Sequence, residues 1–209
     1  ERPGANITVT LSSGSHSIRK LYMRETLHIT GGSLAIGYNP AYRADASADV
    51  RHAGPISAQF SGPALLSGAG SLSAHTLQVD PSCVFTLAGG TLAFNTMLLM
   101  PHASAPGKIL VSGDAAFQPL AGAASSIRTG SGTGSSGAID LGGGSRALHI
   151  GDGASGVDLC LDVPVANGAL AKAGPGTMCL ASASSYAGGT TVAAGRLLVN
   201  NAAGSGTGG

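Results

Sequence analysis

Short runs along the chain alternate apolar residues with small or polar ones. In Val157–Val163 the residues Val157, Leu159, Leu161 and Val163 share one parity, while Asp158, Cys160 and Asp162 share the other. Successive side chains of an extended strand point to opposite faces, so the first set is expected to face a core and Asp158 and Asp162 to face solvent. Strands this short need neighbours. Stacking them as coils about 4.8 Å apart gives each one hydrogen-bonding partners and merges their apolar faces into one narrow core.

A second pattern marks where such strands begin. Glycine, a small or polar residue, an apolar residue, any residue and usually another apolar one occur in turn as Gly32-Ser33-Leu34-Ala35-Ile36, Gly70-Ser71-Leu72-Ser73-Ala74 and Gly90-Thr91-Leu92-Ala93-Phe94. The pattern returns as Gly176-Thr177-Met178-Cys179-Leu180 and Gly195-Arg196-Leu197-Leu198-Val199. The glycines are 38, 20, 86 and 19 residues apart, near two, one, four and one units of roughly 20 residues, a solenoid period. The chain is therefore read as all-β, a right-handed parallel β-helix with coils of roughly 20 residues.

Composition narrows this reading. With 34 glycines, 43% hydrophobic residues and only 10% charged and 4% aromatic ones, long helices are disfavoured. The glycine, serine, alanine and threonine bias runs from end to end, so one domain over residues 1–209 is expected. Eleven basic and ten acidic residues give a net charge of +1, with no basic stripe of the kind nucleic acid requires. No apolar run approaches the roughly 18 residues of a membrane span. The opening Glu1-Arg2-Pro3-Gly4 lacks the basic and apolar regions of a signal peptide, and Gly204–Gly209 reads as a loop. The expectation is a piece of a longer protein, with any export signal or anchor lying elsewhere.

Two stretches near the C-terminal end carry a family pattern. They are Leu170-Ala171-Lys172-Ala173-Gly174-Pro175-Gly176-Thr177-Met178-Cys179-Leu180 and Tyr186-Ala187-Gly188-Gly189-Thr190-Thr191-Val192-Ala193-Ala194-Gly195-Arg196-Leu197-Leu198-Val199-Asn200. Together they resemble the autotransporter-associated β-strand repeat, also called the passenger-associated transport repeat. Met178 replaces the usual Leu, Cys179 a Thr-like residue and Ser184 a common Asn. The resemblance implies a β-helical stalk or passenger exported across the outer membrane of a Gram-negative-type bacterium, extracellular or at the cell surface, in a repeat that itself has no known active site. It covers about 30 residues. The first 165 match only through Gly-x-Leu rungs and glycine-rich corners such as Ile139–Gly144.

Candidate chemistry is sparse. Acids are few, and Asp158 and Asp162 lie about 13 Å apart at strand rise, too far for a glycosidase carboxylate pair unless another coil contributes. A calcium loop is conceivable around Asp140, Asp152 and Asp158, but a single Gly-Asp-Gly reads better as a turn. His16, His28, His52, His75, His102 and His149 lack metal-ligand spacing and are read as surface or edge residues. No Gly-x-Ser-x-Gly elbow supports a serine nucleophile. No cofactor is expected.

Cys83 shares parity with Phe85 and Leu87 and is expected in the core. Cys160 and Cys179 have outward parity and lie 19 residues apart, one coil, which suits either a disulfide or a stacked pair of free thiols. Residues 37–55 break the coil rhythm and hold Tyr38, Asn39, Tyr42 and Arg43, the candidates for ligand contact if this stretch is more than an excursion between coils. The expected function is a structural or adhesive surface module without catalysis of its own. The alternative is a polysaccharide-binding or polysaccharide-degrading β-helix. Expected partners are extracellular glycans or host and surface proteins, and further coils of the parent chain.

Overall fold

The computed structural model describes residues 7–18, 21–36, 57–120 and 123–208, and every regular element among them is a strand. All strand pairings are parallel and sort into three ladders, the three faces of a parallel β-helix. The first face holds β1 (Thr8–Leu11), β4 (Thr26–Ile29), β9 (Lys108–Val111), β12 (Ile139–Asp140) and β15 (Val165–Ala166). On the second lie β2 (Ser15–Ile18), β5 (Ser33–Ile36), β10 (Ala115–Pro119), β13 (Ser145–Ile150), β16 (Ala169–Ala173) and β18 (Thr190–Val192). The third carries β3 (Leu21–Met23), β6 (Ser57–Phe60), β11 (Ser125–Thr129), β14 (Leu159–Leu161), β17 (Thr177–Leu180) and β19 (Arg196–Val199). Two longer strands, β7 (Ala64–Val79) and β8 (Val84–Leu99), run through all three faces and pair with each other from Ala64–Phe85 to Val79–Leu99.

Alternation works as the sequence implies. On the third face Ala58, Leu77, Met97, Ile127, Leu161 and Leu180 succeed one another inward and are all buried. On the first face Leu27, Ala64, Phe85, Ile109, Ile139 and Val165 do the same. The middle coils add two edge-to-face ring pairs, Phe60 with Phe85 at 5.2 Å and Phe94 with Phe117 at 6.3 Å between centroids. Such pairs add to the burial of large apolar area that stabilises the stack. Cys83 is buried beside this core.

The coil spacing differs from the simple count. Ser33 pairs directly with Ser71, so the 38-residue interval is one coil containing residues 37–56 and not two coils. Gly32, Gly70 and Gly90 precede strands of the second face, whereas Gly176 and Gly195 precede strands of the third. The 86-residue interval therefore joins two different corners and is no whole number of coils. Coils of 19 or 20 residues recur where Thr76 meets Thr96 and Cys160 meets Cys179, but Ser126 and Cys160 are 34 apart. Longer corner loops absorb the excess without disturbing the pairing.

At both ends the outer strands have a partner on one side only. Ile7 and Val9 are about half exposed at the first coil, as are Val192 and Val199 at the last.

Candidate functional site

The polar groups of the molecule concentrate in the last coils, around β14, β16 and β17. Asp158 enters β14 from the loop after β13 and is buried, at 1% exposure. This overturns its assignment to solvent. Its carboxylate turns back under the loop and accepts N–H groups from Gly153 and Thr177, both at 2.7 Å. It thereby ties the loop to the following coil, while Asp162, at the far end of the same strand, is exposed as expected.

Lys172 has the parity of Leu170 on β16 and likewise points inward, fully buried. Its ammonium donates to the carbonyls of Ala173 at 3.0 Å and of Gly174 and Ala194 at 2.9 Å. Three donors meet three carbonyls that the corners would otherwise leave unpaired. Burial lowers the lysine pKa, and the nearby charge of Asp158 opposes that shift without cancelling it. Gly174 has φ of +75°, and a Cβ there would stand 2.4 Å from the Ile150 carbonyl oxygen, so the corner admits only glycine.

Tyr186 closes the same region. Its ring is buried and its hydroxyl lies 2.6 Å from Thr190 Oγ1, which in turn donates to the Thr207 carbonyl at 3.1 Å. With the Thr190 proton committed there, the tyrosine O–H is the donor in the first bond. Burial raises the phenol pKa, against the lowering effect of the Thr190 bond.

Outside the core, Thr76, Thr96, Ser126, Cys160, Cys179 and Leu198 follow one another in register up the third face. The expected pairing of Cys160 with Cys179 is thus present, with both thiols free. Cys160 is half-buried and its thiol donates to Asp162 Oδ1 at 3.3 Å. Cys179 is covered despite its outward parity, at 4% exposure.

The 19-residue periodicity, the buried lysine and the Tyr186–Thr190 corner all fall within one segment. Residues 170–199 match the Passenger-associated-transport-repeat family. Within this repeat Leu170, Met178, Leu180 and Tyr186 fill the core, Lys172 holds the corner carbonyls, and Gly174 and Gly195 make left-handed turns. No curated protein and no solved structure matches the chain.

The remaining candidates are scattered. Tyr38, Asn39, Tyr42 and Arg43 lie outside the described residues. Asp140 accepts from the Gly142 amide at 2.8 Å and from Asn167 Nδ2 at 3.1 Å, across the first face from Asp158. Among the described residues no group of three or more His, Cys, Asp or Glu side chains gathers as a metal site would require. His16, His75, His102 and His149 are exposed, and half-buried His28 lies 3.4 Å from Ser67 Oγ. A shallow polar groove beside the Asp158 loop is walled by Asp152 and Ser155 on one side and by Thr177 and Arg196 on the other.

Sequence reasoning missed the roles of Asp158 and Lys172. A signal existed for the lysine: Leu170-Ala171-Lys172 puts it on the buried parity of its strand. Nothing comparable marked Asp158, because its burial comes from the loop folding over the strand entrance.

Proposed function

We propose that this chain is a structural, surface-displayed module of the passenger type, a stalk of stacked coils with no catalysis of its own. The observation that carries the reading is the repeat at residues 170–199 seated in register on the three-faced helix. Its buried lysine and tyrosine join one coil to the next, a construction suited to projecting a rigid rod. Export to the surface of a Gram-negative-type cell follows from the kind of repeat. The half-exposed Val192 and Val199 at one end and Ile7 and Val9 at the other suit a further coil of the parent chain. In support of a non-catalytic role, the carboxylates of Asp80, Asp140 and Asp158 accept hydrogen bonds from the chain's own groups.

Antibody labelling of intact cells producing the full-length parent protein tests the reading. Labelling before lysis is expected, and labelling only after lysis would refute display. A glycan-binding surface has one feature in its favour, the groove between Asp152 and Arg196, whose charged and hydroxyl groups match sugar hydroxyls. Glycan-array binding lost on Arg196→Ala would establish it.

A further inference from the structure

We propose that Cys160 and Cys179 form a disulfide that staples the transport repeat to the coil beneath it. The two residues are register partners on adjacent parallel strands of one face. Neighbouring strands run about 4.8 Å apart, inside the roughly 4.4–6.8 Å between Cα atoms that a disulfide spans. Outward parity places both side chains on the same side of the sheet, and the thiols are in hydrogen-bond contact with each other. Cys83, buried in an earlier coil before β8, has neither cysteine as a register partner.

Oxidation joins the two sulfurs in one S–S bond. The two electrons and two protons released reduce one disulfide of the oxidant, a small or protein dithiol–disulfide, to two thiols. Timing follows from burial. In the folded dithiol, desolvation, with further contributions from Cys179 and Asp162, pushes the Cys160 pKa far up, so the thiolate that must attack is scarce. The bond therefore forms while β17 is still seating, and the same cover over Cys179 then shields it from reductants.

The inference rests on the exported reading only for the source of the oxidant; its geometry is tested without cells. The chain is refolded with glutathione disulfide, denatured, alkylated without reduction and cut with trypsin. Cleavage after Arg146, Lys172 and Arg196 puts Cys160 on residues 147–172 and Cys179 on residues 173–196. The expected product is these two peptides joined, about 2 Da lighter than the sum of their thiol forms, with Cys83 alkylated on residues 52–108. Three alkylated cysteines, or Cys83 in the linked pair, would overturn the proposal. The oxidised chain should melt about 5–10 °C above the reduced one, as expected for closing a loop of this size in a chain of this length. Equal melting would overturn the stapling role. Linkage after refolding but free thiols in protein harvested from cells would count against export and leave the geometry standing.

Discussion

The middle coils, residues 57–119, and the repeat coils, residues 158–208, build the same cross-section by different means. In the middle, bulk does the stacking: Phe60, Phe85, Phe94 and Phe117 interlock along the axis. The outer surface there adds one polar cluster, in which Asp80 accepts from Gln59, Gln78 and Ser61. In the repeat the described core lacks phenylalanine, and buried polar groups tie coil to coil: Asp158 reaches Thr177, Lys172 reaches Ala194 and Thr190 reaches Thr207. Apolar packing is non-directional and tolerates coils of varied length. Hydrogen bonds aimed at particular carbonyls demand a fixed one, which is why the regular 19-residue spacing is found where the polar anchors are.

The sharpest way to break this contrast is to empty the middle. Phe85→Ala removes a ring from the Phe60 pair and should lower unfolding free energy by about 3–5 kcal/mol, read from urea midpoints. Lys172→Met keeps the volume but strands three carbonyls and should cost about 2–3 kcal/mol. Amide exchange should localise that loss to residues 190–199, leaving the phenylalanine coils protected; uniform loss of protection would show that the two regions are not distinct. Gly174→Ala forces a side chain into a left-handed turn and against Ile150, at about 2 kcal/mol, again read by urea melts.

The smallest effect concerns pH. Burial raises the Asp80 pKa, but bonds from Gln78, Ser61 and Gln59 outweigh it and hold the carboxyl below its usual range. A carboxyl that binds its proton less readily folded than unfolded adds stability above its unfolded pKa near 4, and loses it as pH falls through the folded value. Asp80→Asn should therefore cost about 1 kcal/mol at neutral pH and flatten the acid limb of a stability-against-pH curve. An unchanged limb would assign the acid loss to other groups.

Much of this was legible in the sequence because a period of two survives any loop length. Leu72 and Ala74, or Leu77 and Val79, declare their buried face by alternation alone. The Cys160–Cys179 pairing was legible because that interval lies in the regular part of the chain. Counting failed between Gly32 and Gly70 and between Gly90 and Gly176, where strand pairing and not chain length sets the register. Asp158 was hidden for another reason. Parity says which side of a strand a residue takes, but it is silent about a loop that folds back and covers the polar side.

The two strands that turn both corners unbroken, β7 and β8, carry a consequence for assembly. Together they form a ring already paired on all three faces. A slip of one residue between them would invert every face at once, so their register is the hardest in the molecule to mistake. Each rim of that ring offers open backbone groups in fixed order. It is a template on which the next turn of chain can be laid in either direction.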